Sequence, residues 1–242
     1  MNHIMTRIFL AFLTSLMTLA ITGLPALARG VHTIDFGRST AGTEPTSFSA
    51  LVGIWHQDRD EARNIYAVDG REWEQGLLAP GAAEKARALY GDASTDFLRN
   101  LENYRYYPLT VLKELKHFRE GSIEVSFKPV SGRIDQAAGI AFNIKPNGEY
   151  LVLRANALED NLVLFRLDQG RRSTLQWIGK VPVPSNRWHT LRVVVTGKKI
   201  EGYLNGTKYV DYQWNEKIDG RIGLWSKADS FVFFDKFSVT DK

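Results

Sequence analysis

The 242-residue sequence contains no cysteine. Disulfides, thiolate nucleophiles and cysteine-built metal centres are therefore excluded, and stability must come from a packed core. Metal-binding histidine patterns are also lacking, because the five histidines include no His-x-His and no His-Glu-x-x-His. Charge of one sign is scarce too: 31 basic residues face 27 acidic ones, a formal net charge of +4. No basic stripe interleaves with aromatics, and Lys198-Lys199 reads as a turn between strands, so no nucleic-acid partner is expected. No amphipathic helical pattern follows Gly121, and no linker-like tract or internal repeat divides the chain.

The N-terminus carries a long apolar run. Met1 to Arg7 is short and weakly basic, Ile8 to Leu24 is apolar, and Pro25-Ala26-Leu27-Ala28 supplies the small-x-small pattern of a signal-peptidase site. Residues 1–28 read as a signal peptide, which implies a secreted or periplasmic product with no stable membrane span after cleavage. An uncleaved N-terminal anchor is the alternative, since the run approaches the minimum spanning length. Removing the segment takes away one Arg and no acid, leaving a charge of +3 on 214 residues. Residues 29–242 suffice for one large β domain.

Short strands dominate the second half. Ile123, Val125 and Phe127 alternate with Ser122, Glu124, Ser126 and Lys128, the pattern of a strand with one wet face. Further strands are expected at 138–144, 150–156, 161–167, 173–178, 188–196, 200–204, 208–212, 221–225 and 231–239. Asn205-Gly206 suits a type I′ hairpin. The hairpin also explains the Asn205-Gly206-Thr207 sequon. In the first half, 33–36, 51–56, 65–68 and 72–75 read as short strands. Ala82 to Tyr90 opens after Pro80-Gly81 and stops at Gly91, as a helical insertion in a loop would.

The segment 150–157 is the most informative. Alternation places Leu151, Leu153, Ala155 and Ala157 on one face and Tyr150, Val152, Arg154 and Asn156 on the other. A guanidinium on an inner sheet face needs a partner or a ligand. Segment 221–230 has a similar face, with Trp225, Lys227 and Asp229 projecting together if the extended conformation persists. Ahead of Ala137-Ala138-Gly139 stand Asp135 and Gln136. Gln136 falls in phase with Ile140 and Phe142 on the core face and reaches a cleft only through a bulge.

Trp188-His189-Thr190-Leu191-Arg192-Val193 followed by Tyr203-Leu204-Asn205-Gly206 resembles the paired strands of laminin-G-like jelly rolls in the concanavalin A-like lectin/glucanase superfamily. A narrower resemblance rests on 128–132, 135–139, Arg154-Ala155-Asn156-Ala157-Leu158-Glu159, 188–192 and Leu224-Trp225-Ser226-Lys227-Ala228-Asp229-Ser230. These segments are similar to exported bacterial domains of the 3-keto-disaccharide hydrolase-like and family-sixteen glycosidase-like kind. The resemblance implies an all-β, two-sheet antiparallel jelly-roll sandwich with a concave face and a glycan-related role.

A carbohydrate-binding cleft is the leading expectation. Arg154, Asn156, Lys227, Asp229 and Gln136 would bond hydroxyls, and Trp225 or Tyr150 would cover a pyranose face. The structural alternative pairs Arg154 with Asp229 or Glu159 and merely ties strands together. A glycoside-processing enzyme is the second expectation, with Asp135, Glu159 or Asp229 as acid or base beside Lys227. The Glu-x-Asp-x-x-Glu signature of family-sixteen glycosidases is absent, and the same-face acids Glu72/Glu74 and Glu120/Glu124 do not replace it. A structural or protein-binding envelope component is the third. His189 reads as packing. Some superfamily members bind a structural calcium with an Asp at the position of Asp235, which is the calcium candidate here; one carboxylate does not make a site, so no other cofactor is expected. Trp55, Trp73, Trp177 and Trp214 read as core or rim, and Tyr104-Arg105-Tyr106-Tyr107 as a cleft wall or cross-strand packing.

Overall fold

Period-two alternation reappears directly as burial. Along residues 121–130 the odd positions are buried and the even ones half-buried, as expected where one sheet face is wet. The computed structural model describes residues 30–242 except Ser39 and Glu74; the expected signal peptide and half of the Glu72/Glu74 pair thus lie outside the described residues.

Four strands open the fold, β1 (Gly30–Ile34), β2 (Phe48–Val52), β3 (Trp55–Asp60) and β4 (Arg63–Asp69). Two helices follow, α1 (Ala82–Tyr90) and α2 (Ser94–Asn103), joined by a 3-10 turn at Gly91–Ala93. After β5 (Leu109–Leu112) come β6 (Gly121–Ser131), β7 (Ala137–Ile144), β8 (Tyr150–Asn156), β9 (Asn161–Asp168) and β10 (Arg171–Gly179). The chain ends with β11 (His189–Thr196), β12 (Lys199–Leu204), β13 (Thr207–Gln213), β14 (Arg221–Ser226) and β15 (Phe231–Asp241).

One sheet runs β13-β12-β11-β6-β15-β4-β3, with β1 also on β15; the other runs β10-β9-β8-β7-β14-β5-β2. Their pairings are antiparallel, and the many non-consecutive neighbours make a jelly roll. Between the sheets lies an apolar core drawn from both, including Ile123, Val125 and Phe127 on one side and Ile140, Leu151 and Leu153 on the other. The Asn205-Gly206 hairpin forms with φ of 50° and 82° at its two turn residues, the positive values type I′ needs.

A second core covers the outer face of the seven-stranded sheet. Tyr150, Val152, Phe165 and Trp225 rise from the strands to meet Ala86, Leu89, Phe97 and Leu101 of the helices. Strand β8 is consequently buried on both faces. The expected helical insertion is α1, in the connection between β4 and β5; with α2, unanticipated in the sequence, it roofs one end of a sheet. Other corrections are local. The strand expected at 51–56 is two strands parted at Gly53, whose φ of +84° turns the chain. Glu72 lies in a turn rather than a strand, Phe36 sits in a 3-10 turn, and the four-residue β5 was not foreseen.

Candidate functional site

Five strands of the seven-stranded sheet bring one row of residues onto its outer face. Trp225 pairs with Gly139, Gly139 with Arg154, Arg154 with Val163, and Val163 with Trp177. Directly paired residues point to the same side. Gly139 leaves room here, since a Cβ would stand 3.0 Å from Val152 Cγ1 and 3.1 Å from Trp225 Cε3 and would press on both. The next row toward the strand ends holds Ala137, Asn156 and Asn161. Helices roof the opposite end of this face, so the polar groups gather where the roof stops.

Arg154 anchors the cluster with its side chain only 1% exposed. Its Nη2 donates to Glu159 Oε2 at 2.9 Å and to Asn161 Oδ1 at 2.6 Å, while Nη1 stands 4.0 Å from Asp135 Oδ1. The guanidinium also lies over the Phe165 ring, 5.3 Å from its centroid. Asn156 donates to Asp135 Oδ1 at 2.6 Å and accepts from the Leu158 amide at 3.0 Å. Asn161 donates to Glu159 at 2.7 Å, and Lys227 forms an ion pair with Asp135. Two cations thus meet two carboxylates in one bonded network.

The two carboxylates titrate in opposite directions. Burial pushes Asp135 up, against the pull of Lys227 and Arg154. Glu159 also meets burial, but hydrogen bonds from Asn161 and Arg154 outweigh it and hold the carboxyl below its ordinary range. Burial likewise lowers the Arg154 value against the attraction of Glu159 and Asp135.

Of the residues singled out in the sequence, Asp135, Arg154, Asn156, Glu159 and Lys227 come together. Asp229 does not join them. Ala228 takes a φ of +50° and breaks the extended run after Ser226, so the Trp225, Lys227, Asp229 alternation stops there. The Asp229 carboxylate instead accepts the backbone amides of Arg133, Ile134 and Asp135 at 2.6–3.0 Å, and those bonds, outweighing burial, hold its pKa down. Gln136 turns to the Gly132 carbonyl at 3.1 Å and to Ser185, off the outer face.

Trp225 is wholly buried and stacked on Tyr107 at 5.2 Å. Tyr150 is equally buried, edge-on to Tyr104 at 6.1 Å. Neither ring offers a face to a sugar in this structure, because the helical roof and the Tyr104–Tyr107 segment cover them. Asp235 pairs with Arg63 at 3.2 Å, and the described residues contain no group of three or more His, Asp or Glu arranged to hold a metal. Both ring nitrogens of His189 are engaged, by the Pro184 carbonyl at 2.9 Å and Asn205 at 3.1 Å. Glu120 caps the Gly197 amide at 3.0 Å and Glu124 faces Arg192 at 3.9 Å.

The accessible rim is different from the buried base. Glu159 keeps 37% of its side chain exposed. Lys227 projects over the Tyr106 ring at 5.9 Å, and Arg172 lies over Tyr107 and Phe165 at 5.7 and 4.7 Å. Tyr106 and Tyr107 are half-buried, edge-on to one another at 5.4 Å, with Tyr107 stacked on Trp225. Trp177, read from sequence as core or rim, is 54% exposed. A bulge between Thr174 and Gln176 shifts the register of β10 and sets Trp177 opposite Val163; Leu175 and Ile178 instead pack on the inter-sheet core.

The two antiparallel sheets and their crossovers define a concanavalin A-like jelly roll. The sequence profile of the 3-keto-alpha-glucoside-1,2-lyase-like domain matches residues 111–240, a stretch holding Asp135, Arg154, Glu159 and Lys227, and the chain belongs to that family. Among solved structures, the carbohydrate-binding module CBM66 from Bacillus subtilis is similar, with 14% identity over 80% of this chain and 96% of that one at a TM-score of 0.56. A Bacillus subtilis protein of unknown function with a galectin-like fold shares 10% identity over 80% and 89% of the two chains at 0.51. The Crh5 transglycosylase shares 11% over 89% and 86% at 0.50. At such identities the likeness is one of fold. No curated protein sequence matches the chain.

Proposed function

We propose that this chain is an exported carbohydrate-binding domain whose ligand lies on the outer face of the seven-stranded sheet, beside the helical roof. The observation that carries the reading is the division of the site into a locked base and a polar, aromatic rim. Asp135, Arg154, Asn156 and Asn161 are bonded or ion-paired to one another beneath the surface, with Glu159 and Lys227 attached to them and Tyr106 and Arg172 alongside. Sugar recognition uses such fixed polar groups together with aromatic surface. The family match and the fold shared with CBM66 support a sugar ligand. Export rests on residues 1–28.

A second reading, a lyase acting on 3-keto glucosides, draws on the family match and on Glu159 as a surface carboxylate. Elimination across C1–C2 would need a base to take the proton next to the carbonyl, with expulsion of the glycosidic oxygen. Chemistry favours binding over this step. Glu159 is held ionised below its ordinary range, which makes it a weak base. Asp135, the carboxylate with the raised pKa, has no exposed surface.

Calorimetric titration against a panel of free and 3-keto glycosides, with product detection for the latter, separates the readings. Saturable binding without turnover, weakened by Lys227→Met and Tyr106→Ala in variants of unchanged circular dichroism, is the expected result. Turnover of a 3-keto glucoside that Glu159→Gln abolishes would establish the lyase instead. A blank panel with reproducible capture of one envelope protein would make the domain a protein-binding component.

A further inference from the structure

The sequence has six tryptophans, and five are packed. Trp55 and Trp225 are buried against aromatic rings, Trp214 is buried beside Tyr212, Trp73 packs on the main core, and Trp188 is covered by Arg63. Trp177 belongs to neither apolar core and has no aromatic or cationic partner among the described residues. A lone exposed indole needs no explanation by itself. Its position does, because simple alternation along β10 would set Trp177 in phase with Leu175, on the core side. The bulge after Thr174 reverses that phase and presents the indole on the same face as Arg154, one strand beyond Val163. Bulges commonly re-aim a side chain beside a site.

Arg172 and Thr174 pair with Leu167 and Phe165 and so share this outer face. Strand β10 therefore adds a cation, a hydroxyl and an open ring to the rim already described. From β14, which leads into Lys227, to β10 with Trp177, the sheet order crosses β7, β8 and β9. Four strand spacings make about 19 Å, several times the width of one pyranose. Glu159, in the turn between β8 and β9, stands within that span.

We infer that the ligand is an oligosaccharide lying across the strands, from Lys227 and Tyr106 at one end to Trp177 at the other, with Trp177 the stacking platform of an outer subsite. This rests on the carbohydrate-binding reading and specifies it: a single sugar at the Lys227 end would never touch Trp177, whereas a chain of three or four units spans both.

Isothermal titration of the exported chain with gluco-, fructo- and arabino-oligosaccharides of one to four units tests the inference. In the series that binds, affinity should climb with length by about tenfold or more, and Trp177→Ala should erase that climb while leaving the monosaccharide's affinity unchanged. Trp177→Phe should retain most of it, which separates loss of stacking from damage to the edge strand. Equal affinity for one and four units, or a Trp177→Ala variant that binds the tetramer like the parent, overturns the inference and leaves the carbohydrate reading standing. Failure of every series, with the parent protein folded, overturns both.

Discussion

Asp229 holds Asp135 by its backbone, not by its charge: the Asp135 amide donates to Asp229 Oδ1 at 2.9 Å. The neighbouring amides of Arg133 and Ile134 converge on the same carboxylate. An anion gathering three successive N–H groups fixes the loop that delivers Asp135 to Arg154 and Lys227. Asp229→Ala removes charge-assisted bonds and should cost about 2–3 kcal/mol, with Asp229→Asn costing less because one carbonyl oxygen remains to accept. Urea denaturation measures both, and a midpoint for Asp229→Ala equal to the parent's would refute the clamp.

Arg154 is held to the strands around it from several sides. Removing it strands Asp135 in a buried position with Lys227 as its one remaining cation among the described residues and leaves Asn161 Oδ1 without its donor. Breaking a buried ionic cluster in this way costs about 3–5 kcal/mol. Arg154→Ala should therefore lower the urea midpoint far more than Glu159→Gln, since Glu159 keeps contact with water and can shed its partner with less penalty. If Arg154→Ala is as stable as the parent while sugar binding vanishes, Arg154 reaches the ligand directly.

Acid titration should separate the two aspartates by sign. Burial works to raise Asp229, but its backbone bonds win and depress the folded pKa below 3.8. Its stabilising contribution is thus present above 3.8 and lost as pH falls through the folded value. Asp135 is the reverse: burial raises its folded pKa, so its contribution is full below 3.8 and lost as pH rises through that raised value. Asp229→Asn should flatten the loss of stability on acidification, and Asp135→Asn should steepen it. Urea midpoints taken at pH steps from about 6 to about 3 provide the comparison; slopes that move together in the two variants would contradict the assignment.

Much of this architecture was legible because β-strands write their faces in alternate residues. The two faces of β8, the wet face of β6 and the small residues that open β7 could all be read in that way. That Gly139 pairs with Arg154 could not, nor could the burial of Tyr150 and Trp225. Their cover comes from α1, α2 and Tyr107, which lie more than forty residues away in sequence, and α2 brings only Phe97, Leu98 and Leu101 to it. The other two departures are changes of phase. A left-handed Ala228 takes Asp229 out of the row, and the bulge in β10 brings Trp177 into it. Alternation predicts a face only while the register is unbroken.

Gly139 offers the sharpest test of the row itself. Its φ lies outside the left-handed region, so alanine meets no backbone strain there, only neighbours: Val152 Cγ1 at 3.0 Å, Trp225 Cε3 at 3.1 Å and the Leu153 carbonyl at 3.2 Å. Val152 is held under the helical roof, and Trp225 is sandwiched between the sheet and Tyr107. Neither can withdraw freely, so Gly139→Ala should destabilise by about 1–3 kcal/mol through overpacking. Combining it with Tyr107→Ala, which lets Trp225 move outward, should recover part of that loss, giving a favourable coupling in a double-mutant cycle. Strict additivity of the two changes would mean that Trp225 is not what Gly139 makes room for.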